Sequence, residues 1–163
     1  MRRQAKGFTL IEVGIIMAVL GILLAIGVPS YAYLMARSRL RDAGDALAND
    51  LRKARAAAVQ QNVPVFVSFQ SGAQWCWGLA RQQACDCQTG QPRCDLGVTN
   101  YRSHPEAILQ AGMGAEFEPK LGRAMRWSRV GLSNHKNQQL HVDLNPLGRP
   151  QICGPDAPRG SDC

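Results

Sequence analysis

KGFTLIEVGIIMAVLGILLAIGVP, residues 6–29, decides how the chain is organised. From Val13 to Val28 no side chain is polar, and carried back to Phe8 the run is about as long as the roughly 20 residues a membrane-spanning helix needs. Glu12 is the one charged interruption. A carboxylate at a helix centre costs about 2.5–3.5 kcal/mol on insertion scales and less towards the edge, so an acid there needs a partner or a purpose. A cleaved secretory signal fits poorly. The run is too long, it opens on an acid, and no small-x-small pattern closes it before Pro29, Ser30 and Tyr31.

Outward from this stretch the composition divides. The 163 residues are 45% hydrophobic, which excludes a disordered chain and allows one modest domain plus an accessory segment. A formal charge of +7, from 19 Lys and Arg against 12 Asp and Glu, invites a nucleic-acid reading. Yet Arg2, Arg3 and Lys6 stand where targeting leaders carry their charge. Without residues 1–7 the balance is 16 basic against 12 acidic groups, or +4.

Lys6-Gly7-Phe8-Thr9-Leu10-Ile11-Glu12-Val13 resembles the leader junction of type IV pilins and type II secretion pseudopilins. A short basic leader, a glycine before an aromatic, a glutamate four residues later and an unbroken apolar run with Gly21 and Pro29 carry the likeness, over about the first 35 residues. The resemblance implies that a prepilin peptidase cuts between Gly7 and Phe8 on the cytoplasmic face and methylates the new Phe8 amine. Such a cut leaves a cationic amine four residues from Glu12, the spacing that puts two groups on one helix face. In a filament the same carboxylate would pair with a neighbouring subunit's amine and set assembly register.

Charge alone does not orient the span, because Arg37, Arg39 and Arg41 follow it as Arg2, Arg3 and Lys6 precede it. The six cysteines all lie after residue 75, a density that places the C-terminal part in an oxidising compartment.

Beyond Pro29 the pattern becomes periodic. Leu40, Ala43, Leu47, Leu51, Ala54 and Ala58 form one apolar stripe, with the charges mostly elsewhere, and Asn62 and Pro64 supply a stop. Helix from Phe8 to Gln61 would run roughly 80 Å at 1.5 Å per residue, more than a bilayer requires, so its second half must pack outside the membrane. Gly27 and Pro29 mark an expected kink or local melting point. A coiled-coil dimer is the alternative for the stripe, although so many Ala positions make a weak zipper.

In the remainder, 63–69 (VPVFVSF) and 74–80 (QWCWGLA) read as a hairpin across Ser71-Gly72, with weaker strands at 107–109, 125–130, 139–144 and 151–153. The expected fold is α+β: one long N-terminal helix, transmembrane then amphipathic, packed on an antiparallel β-rich head. This layout, with the late Asn145-Pro146-Leu147-Gly148-Arg149 turn, is similar to the pseudopilin H (GspH) and FimT-like minor pilins.

Cys76, Cys85, Cys87, Cys94, Cys153 and Cys163 allow fifteen pairings. Cys85 and Cys87 would face opposite ways in an extended segment, so each pairs more easily outward, with Cys76 or Cys94, than with the other; Cys153 and Cys163 then remain to close a C-terminal loop. A zinc site on the first four lacks any C-x2-C knuckle.

Lys120, Arg123, Arg126, Arg129 and Lys136 lie in a window without an acid, with Trp127 inside it, which is compatible with phosphate contacts and base stacking. FimT-like pilins are understood to bind DNA through a Gly-Arg-x-Arg element; here Gly148 and Arg149 match and Gln151 stands where the second Arg would fall. The rival reading of the patch is a solvated face or a subunit contact. His104, His135 and His141 belong to no catalytic motif, and Glu116 and Glu118 face no nucleophile in sequence, so no enzyme, cofactor or metal is expected.

The expected organisation is leader 1–7, membrane and filament-core helix 8–33, amphipathic helix 34–62 and disulfide-rich head 63–163. The resemblance implies a minor pilin, with other pilin or pseudopilin subunits, a prepilin peptidase and an inner-membrane assembly platform as partners, and double-stranded DNA as a candidate ligand. It implies a single pass through the inner membrane with a periplasmic head, then a pilus or pseudopilus. The alternative is an H-type secretion pseudopilin without DNA binding.

Overall fold

The computed structural model describes residues 7, 9–110, 112–127 and 129–157. One helix, α1 (Leu10–Gln61), leads into nine strands. The chain divides into two compact units, residues up to Met35 and residues from Ala36 onward.

In the first unit α1 is apolar on every side and buries none of it: Leu10, Ile22, Leu24 and Ile26 are each more than 60% exposed. So extensive an apolar surface belongs in lipid or against other chains. Helix continues without interruption through Gly27 and Pro29, so the expected local melting is absent. Pro29 removes a single backbone donor, and the helix carries on beyond it.

From Ala36 onward α1 is one-sided. Leu40, Ala43, Leu47, Leu51, Ala54 and Ala58, the expected stripe, are all buried, joined by Gly44 and Ala48. The stripe is therefore consumed inside its own chain rather than in a coiled-coil dimer. The helix stops where Asn62 turns to a φ of 52° and the Val63 N–H bonds back to the Ala58 carbonyl at 3.3 Å, a left-handed C-terminal cap.

The strands are β1 (Val65–Gln70), β2 (Cys76–Arg81), β3 (Gly97–Asn100), β4 (Ala107–Gln110), β5 (Ala115–Phe117), β6 (Ala124–Arg126), β7 (Val130–Asn134), β8 (Gln139–Leu144) and β9 (Pro150–Cys153). The β1–β2 hairpin expected from sequence forms, in the register Val65↔Arg81 to Gln70↔Cys76. The head holds two antiparallel sheets, ordered β3-β2-β1-β5-β6 and β4-β7-β8-β9. Residues 125–130, expected as one strand, split between them: β6 closes the first sheet and β7 enters the second. The break has a cause at Trp127, whose indole N–H bonds to Asp143 on β8 and so draws the chain across to the second sheet.

Both sheets contribute to one core with the helix stripe. Val65, Val67, Trp77, Leu79 and Phe117 come from the first sheet, and Leu109, Val130, Leu132, Leu140 and Val142 from the second. The two buried indoles are satisfied: that of Trp75 donates to the Ala107 carbonyl and that of Trp77 to Asp50, each at 2.7 Å. Asn134, buried in β7, donates to Gln138 at 2.7 Å and to the Ala36 carbonyl at 3.3 Å, tying the second sheet to the helix. Arg37 and Arg41 hold the segment after β9 through Asp156 and the carbonyls of Pro155, Asp156 and Ala157.

Candidate functional site

At the amino end, Gly7 is exposed and lies outside the helix. Thr9 caps α1: its hydroxyl accepts the Glu12 N–H at 3.3 Å, and its carbonyl accepts the N–H groups of Glu12 and Val13. Thr9-x-x-Glu12 thus has the capping-box spacing, and the Glu12 carboxylate sits in the first turn, where the helix dipole favours an anion. The same residue is exposed to the surroundings of the apolar segment rather than buried in its own chain. Phe8, expected as the new amino terminus, lies outside the described residues.

The structure divides the candidate DNA-binding residues. The acid-free window does not stay acid-free once folded, because strand pairing supplies carboxylates from elsewhere. β5 sets Glu116 opposite Arg126 in register, with 3.9 Å between charged atoms, and Glu118 pairs with Arg123 at 2.8 Å. Asp143 takes Arg129 at 3.1 Å and the Trp127 indole at 2.5 Å. Burial would raise the Asp143 carboxyl, but the Trp127 and Arg129 donors outweigh it and hold the group below the ordinary carboxylate range. Trp127 is therefore half-buried and occupied rather than free to stack on a base. Lys136 projects from the β7–β8 turn, where its N–H bonds to Asn134.

Lys120 and Arg149 have a different setting. The turn between β8 and β9 is built by Asn145, whose side chain accepts the N–H groups of Leu147 and Arg149. Gly148 completes it with a φ of 74°, and a Cβ there would lie 2.4 Å from the Gly122 carbonyl oxygen, so glycine is required. The turn brings Arg149 beside Lys120 and beside Arg52 and Arg55 of α1, around a cleft of about 690 Å³. Arg52 and Arg55 escaped sequence reasoning because they lie off the apolar stripe, where a charged residue reads as solvated; only the fold of β8–β9 over the helix makes them part of a site.

The cysteines pair as Cys76–Cys87 and Cys85–Cys94, with Cα separations of 6.0 and 5.2 Å. They strap residues 82–96 over β2, and each loop of this size contributes about 2–4 kcal/mol in the chain-entropy account. Gly78 makes room: a Cβ there would meet Cys94 Sγ at 2.2 Å. With these four thiols oxidised, none is left as a thiolate for zinc. Cys153 is disulfide-bonded too; Cys163, its expected partner, lies outside the described residues.

His104 is half-buried and stacks on Trp77 with ring centroids 6.5 Å apart. Burial pushes its pKa down, opposed by Asp42. His135 is exposed in the β7–β8 turn and His141 half-buried on β8.

Comparison with known proteins follows this division of the molecule. The prokaryotic N-terminal methylation motif matches residues 2–28, and the family described as type II transport protein GspH matches residues 43–148. The chain belongs to the GspH family of pilins and pseudopilins. The matched GspH region contains both sheets up to the β8–β9 turn, together with the part of α1 that carries most of the buried stripe. Among curated proteins, the type IV major alpha-pilin of Moraxella bovis is 27% identical over 120 residues, covering 74% of this chain and 76% of that protein. The fimbrial protein EcpC of Eikenella corrodens is 46% identical over 43 residues, or 26% of this chain and 28% of that protein. No solved structure matches the chain.

Proposed function

We propose that this GspH-family chain is a minor type IV pilin, cut between Gly7 and Phe8, methylated on Phe8 and assembled through its apolar helix into a filament. The observation that carries the reading is a helix segment apolar on every side and wholly exposed, directly after Gly7, whose one carboxylate is Glu12. Before assembly the segment crosses the inner membrane with the head in the periplasm, where the paired cysteines are stable. After extraction by the assembly platform the same surface packs against other subunits, and Glu12 meets a neighbour's amine instead of lipid. Residues 8–33 then form the filament core, and the head contributes at the tip or in priming. A pilus is favoured over a secretion pseudopilus by the pilin named among the relatives, which matches across three-quarters of its own length.

The test is Glu12→Ala in the producing cell. The cut at Gly7, read by the mass of the mature chain, should persist, while the protein disappears from sheared filaments. Normal incorporation of the variant would overturn the role of Glu12, and an uncut chain in the wild type would overturn the pilin reading itself.

A second reading, in which the head also captures DNA, draws support from Lys120 and Arg149, which meet in one cleft without an ion pair among the described residues. A gel shift with duplex DNA at two salt concentrations tests it: a salt-sensitive shift lost in Arg149→Ala supports capture, and no shift at low salt removes it.

A further inference from the structure

We propose that the cleft between α1, Lys120–Leu121 and the β8–β9 turn seats the exposed Asp42–Asp45 face of α1 from a second copy of this chain. The inference rests on the assembly reading above and names one contact within it. The cleft is one-signed among the described residues: Arg52, Arg55, Lys120 and Arg149 line it and no acid does. Among the described residues Arg52 and Arg55 bond only neutral oxygens, Asn49 Oδ1 at 2.6 Å and the Gly122 carbonyl at 3.0 Å, and no carboxylate pairs with either. The side chains of Lys120 and Arg149 make no hydrogen bond or ion pair among the described residues.

Between these cations the lining is apolar, with Val59 and Leu121 44% and 60% exposed and Pro150 beside them. No aromatic ring among the described residues lines the cleft for a base to stack on. A phosphate backbone would satisfy the rim and leave the apolar floor in water, whereas a carboxylate-bearing protein face covers both.

The chain itself carries such a face. Asp42 and Asp45 are exposed about one turn apart on α1; Asp45 has no hydrogen bond or ion pair among the described residues, and Asp42 faces His104. They precede Arg52 and Arg55 by ten residues, so a copy seated this way is displaced by about 15 Å along the helix. Donor and acceptor surfaces differ, so the contact is heterologous; it leaves an open face on each copy and propagates instead of closing into a dimer.

The experiment mixes isotopically labelled and unlabelled full-length protein in detergent micelles and treats it with a zero-length carbodiimide that joins lysine to carboxylate. The expected product links Lys120 of one copy to Asp42 or Asp45 of another, and its yield falls with salt. Asp42→Lys with Asp45→Lys should abolish it, as should Arg52→Glu with Lys120→Glu, and the chain carrying all four changes should recover intermolecular links through the reversed pairs. Absence of mixed-label links in the wild type, or no recovery in the fourfold variant, overturns the proposal. So does salt-sensitive duplex binding that is lost in Arg52→Glu with Lys120→Glu while no links form, which would assign the cleft to nucleic acid. Filaments that still depend on Glu12 while these links are missing would sink this contact and leave the assembly reading standing.

Discussion

Leu47→Ala isolates the contact on which the head depends. Leu47 is fully buried on the α1 stripe, with Ala43 one turn before it, too small to fill the space it would leave, and Leu51 one turn after it, itself fully buried in the same core. Removing three carbons forfeits roughly 2.4 kcal/mol of transfer free energy at about 0.8 per methylene, and an uncollapsed cavity brings the total to about 3–4 kcal/mol. For a cooperative unit of about 130 residues, an unfolding entropy near 2.1 cal/mol/K per residue converts this to a fall in Tm of about 11–15 °C. Thermal unfolding of the full-length protein in micelles, followed by tryptophan emission, reads it directly, because Trp75 and Trp77 are buried in the same core. Leu121→Ala is the control: the side chain is 60% exposed, and its loss should change stability by no more than about 0.5 kcal/mol. A Leu47→Ala shift no larger than that of Leu121→Ala would refute the packing argument. So would a Tm that rises with protein concentration, since that is the mark of a stripe buried between chains.

Two further outcomes follow from the head. Gly78→Ala should prevent the native Cys85–Cys94 bond, because the new methyl occupies the place of Cys94 Sγ; disulfide mapping by mass spectrometry should find free thiols or altered pairs, and native pairing at wild-type stability would contradict the placement of the strap on β2. Asp143 has a lowered folded pKa, so its contribution is present above the unfolded carboxylate value near 3.9 and is lost as pH falls through the folded value. Asp143→Asn should therefore cost stability at pH 7 and flatten the dependence below about pH 4, and an unchanged acid limb in urea titrations would show that Trp127 and Arg129 do not stabilise the charged form.

Much of the architecture was legible because it is written in local periodicity. An apolar run, a stripe at helical spacing and the VPVFVSF–QWCWGLA hairpin each declare themselves within a window of about twenty residues. What stayed hidden is non-local or weakly patterned. β3 (GVTN) and β5 (AEF) contain residues of poor strand propensity and exist because β2 and β1 offer them a ladder. The 125–130 run has strand-like residues throughout, but the two halves answer to different partners, and no window of sequence records that Trp127 will be claimed by Asp143.

The charged surface shows the same limit with a functional consequence. In sequence, the basic window from Lys120 to Lys136 looks like a polyanion patch because its acids lie outside it. Folding cancels three of its arginines against Glu116, Glu118 and Asp143, because antiparallel pairing sets residues from distant segments side by side. A cluster of cations from separate stretches of sequence is instead brought together by the fold, from Arg52 and Arg55 on the helix, Lys120 before β6 and Arg149 after β8. A cation count along the chain therefore overstates the uncompensated charge of the 120–136 window. The head's one-signed cleft has an apolar floor, and α1 carries carboxylates about 15 Å further down. An offset of that kind suits a surface that binds its own kind in one direction, which is what a subunit of a growing filament must do and what a closed dimer cannot.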